Sequence, residues 1–317
     1  MSAPLPPIPP NIEEITAPLL LGTVWNWCLY GTLIVQYYVY TYNFPTDSRY
    51  LKLFVSSLFI IETLQTALSG ADLYYWFASG FGDMTHLASP YASAFDVPIM
   101  GAIVSLAVQV FFAYRVWLLS NKKHWWFPAI ICLVSTVDSS AAFAGGVYAH
   151  VRKHFASGRW LRILAMTWLI GNTVADTLIA SAMLYHLLKL RKREGRFSSH
   201  ALISVVRLTV ETNILTTTVS IVAMLMVILY SDKNWYTCPT AIIGKLYSNT
   251  LLVSLNNRIS IRETMASRGA IRSPAGTFPG SSARSEGTSD IVLMDLEKQK
   301  SHPLGERIVH DKVIQIA

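Results

Sequence analysis

The chain has 317 residues, 52% of them hydrophobic and only 14% charged, well below the roughly one quarter of charged residues in an ordinary soluble domain. That deficit, with apolar runs recurring to about position 256, excludes an ordinary soluble domain and points to lipid, because about 20 helical residues cross a hydrocarbon core. The net charge of +7 does not mark a nucleic-acid surface: the basic residues sit in loops beside apolar segments and in the tail, where they orient a chain in a bilayer.

The opening segment, residues 1–16, carries prolines and the acids Glu13 and Glu14 but no Lys or Arg, so it lacks the basic region of a cleaved signal peptide. The first span is therefore expected to persist. Seven spans follow at about 17–42, 51–78, 95–119, 126–149, 162–188, 201–230 and 240–256. Pro and Gly punctuate the connections at Asn43-Phe44-Pro45, Gly80–Pro90 and Cys238-Pro239. The expected fold is all-α, an integral membrane bundle of seven transmembrane helices over 17–262, with a disordered tail over 263–317. The tail's Ser, Gly, Arg and Pro cannot bury enough apolar surface to fold alone. Cys28, Cys132 and Cys238 are too few for a disulfide framework.

Lys and Arg near span ends are retained preferentially on the cytoplasmic side. With the N-terminus outside, the inner side receives twelve, including Arg115, Lys189 and Arg258, and the outer side five. This bias favours an outer N-terminus and a cytoplasmic tail, although VRKHFASGRWLR (151–162) opposes it locally; the plasma membrane is the expected location. Trp125, Trp126, Trp160, Trp235 and Tyr236 fall at span ends, where aromatic residues anchor to the interface.

The chemistry lies in polar residues inside the spans. Glu62, Gln65, Ser69 and Asp72 share one helical face. Span five carries Asn172 and Asp176, span six carries Arg207 and Glu211 four apart, and span seven carries Lys245, Asn249 and Asn256. With a seventh span beginning near 240, Lys245 lies about 7 Å below its outer end, close to Asp72 or Asp138 as partners. Two stacked polar layers are expected, an outer one centred on Lys245 and an inner one on Arg207 and Glu211. The candidate polar core or ligand site is thus Glu62, Asp72, Asp138, Asp176, Arg207, Glu211, Lys245 and Asn249. The competing readings are helix-to-helix packing for the polar stripes and an interfacial, snorkelling Lys245.

No cofactor is expected. A retinal Schiff base on Lys245 is disfavoured, because Ala241 precedes it by four residues and the interior of span three, from Val97 to Tyr114, has no acidic counter-ion. His150 and His154 are spaced as metal ligands, yet the Glu of HExxH and an evident third ligand are missing. A zinc hydrolase is therefore a distant third reading, and no enzyme is expected. A G-protein-coupled receptor's motifs are also missing: span three ends Ala113-Tyr114-Arg115, and span seven has no Asn-Pro-x-x-Tyr.

Gly244–Leu252 (GKLYSNTLL) followed by Ser254-Leu255-Asn256-Asn257-Arg258 resembles the closing signature of a family of multi-spanning proteins from mushroom-forming fungi. Val108–Phe112 (VQVFF) with Arg115, and Ala175-Asp176, resemble further features of that family. The resemblance covers about 17–262 and implies about seven spans in a domain of unknown function. It supplies no activity. The leading expectation is a receptor-like sensor of a small ligand, partnered by the bilayer and by a cytoplasmic signalling protein at 189–196 and the tail. The alternative is a transporter or channel using the intramembrane polar residues.

Overall fold

The computed structural model describes residues 10–87, 89, 91–120, 122, 125–152, 159–193, 195–230 and 233–259. The tail from 263, the first nine residues and His154 fall outside this set, as do the side chains of 190–206. The described residues form α1 (Ile12–Asn43), α2 (Arg49–Tyr74), α3 (Gly101–Leu119), α4 (Trp126–Arg152), α5 (Arg159–Arg193), α6 (Gly195–Leu229) and α7 (Thr237–Asn256). One-turn helices, Met84–Leu87 and Ser93–Phe95, lie between α2 and α3. Two π turns, Tyr75–Ser79 and Asp96–Met100, extend α2 and precede α3.

Six segments are long and apolar enough to cross a membrane: Ile12–Asn43, Arg49–Ser79, Ser93–Leu119, Trp126–Val151, Arg159–His186 and Arg207–Leu229. The protein is an integral membrane protein. Its exposed side chains include Leu20, Val35, Ile60, Val137, Ile214 and Leu225, a surface suited to lipid and unlike that of a soluble bundle. Helices satisfy their own backbone groups, as the hydrocarbon region demands. The expected seventh span corresponds to α7, which is not among these six. The physical reason is its place in the packing: α7 touches α1, α2, α3 and α6, and 13 of its 20 residues are buried. A helix enclosed by others can carry polar residues that a lipid-facing helix cannot.

The short connections make successive helices antiparallel. Here the end at which α1 begins is called the near face and the opposite end the far face. Pro45 and Ser48 terminate α1 and start α2 at the far face, where the Ser48 hydroxyl accepts from the Leu51 N–H at 3.3 Å. Pro239 falls in the first turn of α7, where its missing N–H breaks no helical bond. Close helix approaches rely on small residues. A Cβ on Gly171 of α5 would lie 2.3 Å from the Cβ of Asp138 on α4, and one on Gly146 would lie 2.6 Å from Ile99 and 2.8 Å from the Ala94 carbonyl oxygen.

Candidate functional site

The 3.6-residue period places Val55, Leu58, Glu62, Gln65, Ser69 and Asp72 on the buried face of α2. The same face supplies two sites. Near mid-depth, the Lys245 ammonium of α7 forms an ion pair with the Glu62 carboxylate. It also donates to the Glu62 carbonyl oxygen at 2.8 Å and to Gln65 Oε1 at 2.7 Å, and it lies 5.4 Å from the centre of the Tyr30 ring. The Lys245 side chain is 0% exposed, so it does not snorkel. Ser248 donates to Glu62 Oε1 at 2.6 Å. Asn26 of α1 joins the group by donating to Gln65 Oε1 and to the Ala241 carbonyl oxygen. Asn249 donates to the carbonyl oxygens of Lys245 and Leu29 and accepts from Gln36.

The partner expected for Lys245 was Asp72 or Asp138; the structure pairs it with Glu62. The reason is depth. Because α7 begins at Thr237, Lys245 is roughly 12 Å along it at 1.5 Å per residue, deeper than a helix starting near 240 would put it, and level with Glu62.

The opposite side of α7 meets a second polar group. Tyr247 donates to Asp176 Oδ2 at 3.0 Å, Thr216 of α6 donates to the same oxygen at 2.6 Å, and Gln109 of α3 donates to the Tyr247 hydroxyl at 3.0 Å. With its amide turned to suit its neighbours, Asn172 donates to Asp138 Oδ2 at 2.9 Å and accepts from Trp168 Nε1 at 3.0 Å. Asp138 and Asp176 therefore belong to adjoining buried polar groups, Asp138 bonded to Asn172 of α5 and Asp176 bonded to α6 and α7.

Arg207 and Glu211 do not form an inner polar layer. They pair at 2.7 Å on the outer surface of α6, with side chains 76% and 53% exposed. A pair four residues apart satisfies itself on either face, so it gives no reason to turn inward. The inward stripe of α6 is Thr209, Asn213, Thr216 and Ser220, all buried. The far-face polar group is built instead from residues outside the candidate set. Arg115 donates to Ser254, and the Arg258 guanidinium grips Asp47 at 2.6 and 3.2 Å while stacking 4.1 Å from the Phe44 ring. Tyr40 donates to the same carboxylate at 3.2 Å. This fork ties the end of α7 to the α1–α2 connection.

At the near face the helices separate around a cavity of about 150 Å³. Its walls include Leu19 and Thr23 of α1, Ser69 and Asp72 of α2, Trp76 and Asp96 of the two π turns, Ala142 of α4, Trp168 and Leu169 of α5, and Tyr236 and Thr240 at the start of α7. A π turn adds a residue to the helical repeat and redirects the side chains beyond it, and such turns recur at functional sites. The Asp72 carboxylate accepts the Ala92 N–H at 2.6 Å. Asp96 is 1% exposed, and neither of its carboxyl oxygens has a hydrogen-bond partner among the described residues. Asp96 escaped the sequence reading because an acid beside Val-Pro at the start of an apolar run looks like a helix-start residue in solvent. Between the two π turns, Asp83 accepts from the Thr85 hydroxyl at 2.7 Å and from its N–H at 2.8 Å, which holds the Asp83 carboxyl below its ordinary range. Tyr75 stacks between His86 and Tyr91.

No curated protein and no solved structure matches the chain. Residues 172–260 match the family model described as a family of unknown function (DUF6534), a stretch holding Asn172, Asp176, Lys245, Asn249 and Arg258. Over the greater part of its last three long helices, the chain is similar to a family of unknown function.

Proposed function

We propose that this is a seven-span membrane protein of fungal type acting as a receptor-like sensor of a small ligand, with the near face outside the plasma membrane and the far face in the cytoplasm. The observation that carries the reading is the near-face cavity whose wall holds, at a break in the helical repeat, a buried carboxyl with no hydrogen-bond partner among the described residues. Such a cavity, largely apolar with a few polar groups, has the character of a ligand site. An enclosed α7 supports a seventh crossing, since its polar residues are matched by partners rather than exposed to lipid.

In this mechanism a ligand touches both π turns and Trp168. Trp168 is bonded to Asn172 and so adjoins the network that ends on Tyr247 of α7. A ligand with unequal affinity for two arrangements of these helices would shift their populations. The basic loop 189–196 and the tail would then meet a cytoplasmic signalling protein. Proximity labelling from the tail in native membranes, against an unrelated seven-span protein of the same orientation, tests this. Selective enrichment of G-protein subunits or kinases is expected; equal labelling by the two proteins would remove receptor coupling. The transporter reading draws on the buried ionisable residues from Asp96 through Lys245 and Glu62 to Asp176. Substrate-dependent flux in liposomes, abolished by Asp176→Asn, would select it.

A further inference from the structure

The near-face cavity carries more chemistry than a generic apolar pocket. Three buried acids, Glu62, Asp72 and Asp96, lie in or just below it, with one buried cation, Lys245. Lys245 is committed to Glu62 and Gln65. Among the described residues lining the cavity there is no Lys, Arg or His. With its acids ionised, the site holds more negative than positive charge in a medium of low dielectric, where charge imbalance is costly. Asp72 is stabilised by the Ala92 N–H at 2.6 Å; neither Asp96 carboxyl oxygen has a hydrogen-bond partner among the described residues. The remaining walls are aromatic and apolar: Trp76, Trp168, Tyr236, Leu19 and Leu169. Trp76 donates its indole N–H to the Ser89 carbonyl oxygen at 3.1 Å, which fixes the ring in the wall.

We infer that the cavity binds a small organic cation, an ammonium group on a ring-sized apolar body, with Asp96 as its counter-ion. The carboxylate accepts the ammonium N–H bonds, the bond type that is strongest between ionised partners. The aromatic walls favour the same charge through their π faces and cover the apolar body. A volume of about 150 Å³ suits a benzene-sized group, which limits the ligand to one ring or a short branched chain. An anionic ligand would meet the acids with no Lys, Arg or His among the described lining residues, and a neutral one would leave Asp96 without an ionic partner.

The assignment rests on the ligand-binding reading above, and the test separates the two. The full-length protein in nanodiscs is titrated with 2-phenylethylamine and with 2-phenylethanol, its uncharged analogue, and binding is followed by calorimetry and by the thermal unfolding midpoint. The amine is expected to bind saturably and the alcohol about ten- to a hundredfold more weakly, as for loss of a charged hydrogen bond. Asp96→Asn should weaken the amine by a similar factor while leaving the unliganded midpoint unchanged or higher. Ala142→Leu, which fills the cavity from α4, should abolish binding of both probes. If the alcohol binds as well as the amine, or Asp96→Asn binds the amine normally, the cation assignment is overturned and the ligand cavity stands. If neither probe binds, the cation assignment falls; the cavity as a ligand site falls with it only if tail labelling also fails.

Discussion

Replacing Lys245 by Met keeps most of the side-chain length and removes one charge from a fully enclosed pair. Among the described residues, the Glu62 carboxylate then retains the Ser248 hydroxyl at 2.6 Å, and Gln65 Oε1 retains Asn26 at 3.1 Å. Both side chains of the Lys245–Glu62 pair are at most 3% exposed, so water cannot replace the lost cation without opening the bundle. Removing one member of such a pair costs about 3–5 kcal/mol, chiefly through the uncompensated charge left behind. At about 2–4 °C per kcal/mol for a chain of this size, the unfolding midpoint should fall on the order of 6–20 °C. Removing both charges, Lys245→Met with Glu62→Gln, should recover a large share of that loss, because the amide oxygen still accepts from Ser248 and no charge is stranded. The assay is a double-mutant cycle in detergent, read by thermal unfolding and cross-checked by denaturant titration. A cycle in which the two single effects simply add, or a Lys245→Met midpoint within a degree of wild type, would refute the buried-pair account.

The far-face clamp should discriminate between two cations. Arg258→Lys loses the two-pronged bond to Asp47 and the stack on Phe44, so it should destabilise by about 1–3 kcal/mol in the same unfolding assay. The paired change Arg207→Gln with Glu211→Gln should leave the midpoint unaltered, since that pair lies on the exposed surface of α6; a clear drop would show that it packs inward. Gly171→Ala should cost about 1–3 kcal/mol by forcing α5 away from Asp138, and it should be visible as a lower midpoint and reduced yield of folded protein. An unchanged midpoint would mean that the α4–α5 contact is looser than 2.3 Å implies.

Much of the architecture is written locally along the chain. A continuous apolar helix satisfies its own backbone, so length and composition could mark the spans from the sequence, and six of the seven expected match helices long and apolar enough to cross a membrane. The polar stripe Glu62, Gln65, Ser69 and Asp72 could likewise be read as one face, because the period of a helix is a local property. The inward stripe Thr209, Asn213, Thr216 and Ser220 was equally readable by spacing. The charged pair Arg207 and Glu211 on the same helix is no guide to it, since a pair that neutralises itself carries no information about which face is buried. Tertiary structure alone decided which stripes meet, because pairing depends on where each helix starts and on its depth relative to its neighbours. That register joined Lys245 to Glu62 rather than to Asp72 or Asp138. It also enclosed Asp96, an acid whose local sequence resembles a solvated helix start, by bringing α1, α2, α4 and α5 around a π turn that no pattern in the sequence announces.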